Sequence, residues 1–182
     1  METQTQTQTQ LVTPLAVGIR YGLLLAVTWV LVDFLVRIAY FSFLTFGIAA
    51  SLGGIIVSVV WVARAHKAFK EANGGLMRFG QGMVIALVML LISGLVSGVF
   101  GYVYLHFIDP DFVERMKTGM VEFMERNNVP DDQIEKSTAR MDDMKADLGR
   151  SLLAGLGNGV VLGLIVGAVV TAFTKRNPPE FE

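Results

Sequence analysis

The strongest constraint on this chain is a run of glycines, Gly155, Gly159, Gly163 and Gly167, spaced four apart inside an apolar stretch. The stretch starts near Ser151, ends at Lys175, and carries no formal charge between them. About 20 apolar residues are enough to cross a bilayer as a helix. Residues four apart stack on one helix face, so these glycines form a ridge without side chains. In lipid, such a ridge lets a second backbone come close and gain dispersion and Cα–H···O contacts. Residues 151–175 therefore read as a membrane helix built to be packed against. The natural counterpart is an earlier small-residue face, Gly94, Gly98 and Gly101 with Ser93 and Ser97. A second copy of the same ridge is the other option.

The remainder of the chain is of the same kind. It is 53% hydrophobic, with mean hydropathy +0.54, which places it outside the soluble globular class. The spacing of apolar runs predicts an all-α polytopic membrane protein with four transmembrane helices. Residues 13–107 hold the first three spans, opening on Thr13-Pro14 as N-cap and first helical position. The first runs to about Val36, the second from Thr45 to Ala63, and the third from Gly80 and Gly82 to Phe107. Gly47, Gly53 and Gly54 are close-approach points on the second. Asn73-Gly74-Gly75 marks a helix stop in the basic 64–81 loop. Tyr40, Phe41, Phe43 and Phe46 read as an aromatic belt at one membrane surface. Residues 1–12 are a polar TQ-rich tail and 176–182 a second polar tail. The chain lacks the basic start of a secretory signal, so the first span is expected to stay as an anchor.

Residues 108–150 form the one sizeable extramembrane element. Asp109-Pro110-Asp111 opens a helix whose apolar stripe is Val113, Met116, Met120, Phe123 and Met124, ended by Asn127-Asn128-Val129-Pro130. Asp132 and Glu135 have capping-box spacing, and a second helix carries Ile134, Met141, Met144 and Leu148. Together they predict an amphipathic helical hairpin between the third and fourth spans.

The chemistry available is narrow. A net charge of −1 points to no nucleic-acid partner, since a phosphate-binding chain needs a basic face. Cysteine is absent, and with it disulfides and thiolate chemistry. His66 and His106 lie at opposite ends of different spans, and no catalytic or metal-ligand motif is present, so neither enzyme activity, a metal nor a cofactor is expected. Asp33 and Arg37, four apart, read as an intramembrane ion pair that ends the first span, with a buried ion or proton site as the sharper alternative. Met116, Met120, Met124, Met141 and Met144 suit an adaptable contact surface for a partner better than soft-metal capture.

Three segments carry a family resemblance. They are Lys67-Ala68-Phe69-Lys70-Glu71-Ala72-Asn73-Gly74-Gly75 with Phe79-Gly80, then Phe107-Ile108-Asp109-Pro110-Asp111-Phe112, then Lys175-Arg176-Asn177-Pro178-Pro179-Glu180-Phe181. In combination they resemble a domain-of-unknown-function family of four-pass inner-membrane proteins of Bacteroidota. The resemblance covers all but the TQ-rich tail and implies the four-span layout. It brings no activity or site residue with it. Basic density in 64–81 places that loop and both termini in the cytoplasm and the hairpin in the periplasm. The expected role is a structural or accessory subunit presenting an acidic, Met-rich hairpin to a protein partner or a second copy. Transport along Asp33, Arg37, Gln81, His106 and Asn158 is the alternative, and convergence of those groups on one cavity would favour it.

Overall fold

A computed structural model describes residues 12–39, 42–142 and 147–177. Among these residues six α-helices follow in order: α1 Pro14–Ile38, α2 Phe43–Ala72, α3 Phe79–Val103, α4 Phe112–Arg126, α5 Asp131–Asp142 and α6 Leu148–Thr174. A π-helical turn, Tyr104–Ile108, extends α3. Four of these helices, with α3 and its π turn counted as one, are long and apolar enough to cross a membrane. Their outward faces stay apolar, for example Leu23, Val27, Leu31 and Leu35 on α1, which are all exposed. A continuous apolar surface of that size suits acyl chains rather than water. The chain is a multi-pass membrane protein with an all-α fold. The expected belt residues Tyr40 and Phe41, the tail residues 1–11 and 178–182, and Met144 lie outside the described residues.

Local signals explain most boundaries. Thr13 Oγ1 accepts from the Ala16 amide at 3.2 Å, with Pro14 at the first helical position. Gly74 and Gly75, at φ +65° and +84°, reverse the chain after α2. Three expectations need correction. The helix of the second span runs past Ala63 to Ala72, so Arg64, Lys67 and Lys70 of the expected 64–81 loop are helical, while Arg78 is the N-cap of α3. Asp132 is not a cap but the second residue of α5, where it pairs with Lys136 at 3.3 Å. Leu148 does not extend the hairpin stripe. It begins α6, capped by Asp147, whose Oδ1 accepts from the Arg150 amide at 3.0 Å.

The core is organised on α3, which packs most extensively on α6 and then on α1, while α2 lies against α1 and the far end of α6. On the α6 side, contacts run antiparallel. A Cβ added at Gly94 or Gly155 would strike the other's carbonyl oxygen. One added at Gly159 would lie 2.6 Å from the Leu90 oxygen, and one at Gly98 2.7 Å from the Ser151 oxygen. Gly163 and Gly167 meet side chains instead, Leu87 Cδ2 and Ala86 Cβ, each at 3.0 Å from such an atom. Gly101 differs: nothing lies within 4 Å, so it makes no close helix contact. On the opposite side, Gly18 and Gly22 of α1 seat against Val88 and Met89 of α3. Among the expected points on α2, Gly54 holds the Trp29 ring, whereas Gly47 faces open space and Gly53 only touches Val32 at 3.8 Å.

Candidate functional site

Two polar clusters occupy the two ends of the bundle, and the one under the hairpin is the richer. Arg37 ends α1 with its Nε donating to Asp33 Oδ2 at 2.8 Å, the side chains 15% and 17% exposed respectively. Its guanidinium lies 4.8 Å from the ring centroids of both Tyr104 and Phe112, and 5.9 Å from that of Phe46. Those rings come from the π turn, from α4 and from α2, so one cation joins four elements. The rings also meet each other edge-on, Phe46 with Phe112 at 5.2 Å and Tyr104 with Phe112 at 5.7 Å. Cation–π attraction strengthens as the site is desolvated, reaching about 2 kcal/mol.

The π turn sets this arrangement. The Asp109 amide donates to the Tyr104 carbonyl at 2.8 Å, one residue wider than an α-helical bond. Tyr104 is thereby buried while Phe107 is exposed. The Tyr104 hydroxyl donates to Asp109 Oδ2 at 3.3 Å, and Arg115 of α4 grips both oxygens of Asp109. The Arg115 hydrogen bonds, and secondarily its charge, hold the Asp109 carboxyl below its ordinary range against the opposing effect of burial.

The hairpin packs onto this root. Phe112, Val113, Met120 and Met141 are buried with Tyr104 and Leu105, while Phe43, Phe46, Met116 and Met124 are half-buried against them. Two expectations change here. Phe43 and Phe46 turn inward to the hairpin instead of forming a lipid-facing belt. Met120 and Met141 are occupied within the chain, so of the described methionines in the hairpin Met116 and Met124 keep outward surface. Met116 borders a cleft of about 690 Å³ between α4 and the start of α2, where the exposed Phe123 also lies.

At the other end, His66 is completely buried, a position its sequence context did not reveal. Its Nε2 donates to the Gly82 carbonyl at 3.1 Å, since a carbonyl can only accept, and Nδ1 is 2.8 Å from Thr174 Oγ1. Lys70 Nζ donates to the Thr174 carbonyl at 3.0 Å, capping α6 as cations do at a helix C-terminus. Met77 and Arg176 close the end by exchanging backbone bonds of 2.9 and 2.8 Å. The partners of His66 lie 16 and 108 residues away, so only the His66/Lys70 spacing of four hinted at a shared face.

Of the groups considered for transport, Gln81 and His106 stand apart from the Asp33–Arg37 pair and Asn158. Gln81 accepts from the Arg78 amide at 2.8 Å and caps α3 at the termini end. His106 stacks on Tyr102 at 4.3 Å, with Nδ1 donating to the Tyr102 carbonyl. Arg37 and Asn158 do border one groove. Among the described residues, no three of His, Cys, Asp and Glu come together as metal ligands.

Comparison with known proteins adds a family but no activity. No curated protein and no solved structure matches the chain. A family model described as "protein of unknown function (DUF4199)" matches residues 20–176, which run from within α1 through the other three membrane helices and the hairpin. The chain therefore belongs to the DUF4199 family of proteins of unknown function.

Proposed function

We propose that the protein is an accessory membrane subunit that holds its hairpin as a fixed acidic platform for a protein partner, without reaction chemistry of its own. The observation that carries this reading is the Arg37 box, which ties the hairpin root to three spans. A hairpin serving as a hinged arm would have no use for such an anchor. With its apolar stripe turned inward, the hairpin exposes Glu114, Glu122, Glu125, Asp131, Asp132 and Glu135. Their pairs with Arg126 and Lys136 are exposed and contribute little, leaving the surface available to a basic partner. Met116 and Phe123 supply the adjoining apolar contact. Arg64, Lys67, Lys70 and Arg78 at the opposite end favour the cytoplasm for the termini, hence the periplasm of a bacterial inner membrane for the hairpin.

Photo-crosslinking from Glu125 in native membranes tests the reading. A discrete adduct, lost in a Glu122→Lys, Asp132→Lys double variant, is expected; an adduct at twice the chain's mass assigns a second copy as partner. Absence of an adduct, or one indifferent to charge reversal, overturns the reading.

A further inference from the structure

The last span, α6, has two faces, and the chain itself uses one of them. Gly155, Gly159, Gly163 and Gly167 turn toward α3. On the other side Ala154, Asn158, Val161, Ile165, Ala168 and Ala172 are all exposed. With about 3.6 residues per turn, this stripe runs along the helix opposite the glycines. Its separations alternate four and three, the seam along which two helices wind around each other at a small crossing angle. Five of the six side chains are apolar, and the sixth is an amide. Helical rise places Asn158 about 10 Å from Ser151 and about 25 Å from Lys175, the ends of the uncharged run. It therefore lies inside a hydrocarbon layer of about 30 Å. Its side chain is exposed there and has no hydrogen-bond partner among the described residues. An unpartnered amide facing acyl chains costs free energy, because nothing around it replaces water.

The chemistry of that amide selects what covers it. A carboxamide both donates and accepts, whereas an acyl chain does neither and a lipid ester only accepts. A second Asn158 answers in both senses, each side-chain N–H donating to the other's carbonyl oxygen. Two copies inserted with the same topology present α6 in parallel, and a two-fold axis along the membrane normal sets both Asn158 residues at one depth. The seam then has a definite register. With Asn158 at heptad position a, Ile165 and Ala172 also fall at a, and Ala154, Val161 and Ala168 fall at d. One Asn at an a position is the device that fixes register and copy number in such pairs. The small side chains around it let the two backbones approach closely. We infer that the protein forms a parallel homodimer through this outward face of α6, with the two Asn158 amides hydrogen-bonded to each other inside the bilayer.

The chain has no cysteine, so single cysteines report this face without background. Val161→Cys and Ala168→Cys on the seam are oxidised in native membranes beside Leu153→Cys and Val160→Cys, which are exposed on the same helix but off the seam. A disulfide-linked species at twice the chain's mass is expected from the first two and little from the second two. Self-association of the full chain in phosphatidylcholine vesicles, read by energy transfer between labelled copies, tests the amide separately. Asn158→Leu is expected to weaken it about fivefold, the effect of one hydrogen bond between membrane helices, and Asn158→Gln, which keeps donor and acceptor, to preserve most of it. Equal crosslinking from both cysteine sets, or none from the seam, overturns the proposal. So does an association indifferent to Asn158→Leu, which would assign the amide to the groove beside it. A Val161→Cys adduct of any other mass overturns it in favour of a different protein.

Discussion

Arg37 shows how much one side chain can organise at a membrane surface. It is held by a carboxylate on its own helix and by rings from three other elements, so its replacements separate charge from shape. Arg37→Lys keeps the charge but loses the planar stack, and is expected to lower hairpin stability by about 1–2 kcal/mol. Arg37→Gln leaves the Asp33 carboxylate poorly exposed and unpaired, and is expected to cost more. Protease resistance of residues 108–150 in detergent ranks the two. Asp109 adds a pH dependence whose sign follows from its lowered pKa. Its contribution is complete above the ordinary carboxylate value of about 4 and fades as the pH falls through the lower folded value. The stability gap between wild type and Asp109→Asn is therefore expected to be constant near neutrality and to close in acid; a gap that widens in acid contradicts this. Asp33 and Arg37 could be read as a pair from their spacing alone, but the aromatic box could not. Phe46 is far in sequence from Tyr104 and Phe112, and an aromatic near a span end ordinarily signals the lipid interface. His66 was hidden for the same reason, since a histidine among basic residues at a helix end resembles a solvated one.

Among the elements, the α3–α6 pair was the most legible, because glycines at a regular four-residue spacing on an uncharged span serve close helix packing and little else. What spacing could not give is which glycines meet backbone. Gly94, Gly98, Gly155 and Gly159 face carbonyl groups that cannot turn aside, Gly163 and Gly167 face side chains, and Gly101 and Gly157 face open space. Alanine substitution is accordingly expected to cost about 1–3 kcal/mol at Gly155, less at Gly163, and nothing at Gly157, measured by thermal unfolding in detergent. Equal costs at Gly155 and Gly157 would mean that the ridge is not packed inside the chain. Gly18 and Gly22 on α1 have the same spacing, yet two glycines are too few to stand out from an ordinary span. The helical stretch from Arg64 to Ala72 is not legible in the sequence, because its charges suggest a loop. Buried Val62, Ala65, His66 and Phe69 continue one face of α2 through those charges.

For the molecule as a whole, the four spans set the hairpin and the termini at opposite ends, each end tied by its own cluster. Cysteines at Ala72 and Asn128 are expected to label from opposite sides of intact cells, with Asn128→Cys the one reached by an impermeant reagent. The reverse labelling would place the platform in the cytoplasm. The hairpin is docked on the spans rather than swinging from them. The closest reporter is Gly119 of α4, where an added Cβ lies 3.2 Å from the Cβ of Phe43 at the start of α2. That separation is near the range a disulfide requires, about 3.5–4.5 Å between Cβ atoms. The chain has no cysteine of its own, so a Phe43→Cys, Gly119→Cys pair can be oxidised without competing thiols. A docked hairpin gives rapid, near-complete intramolecular crosslinking in native membranes, and none for Ile48→Cys with Gly119→Cys. A slow or absent crosslink in the first pair, with the protein still inserted, would contradict it.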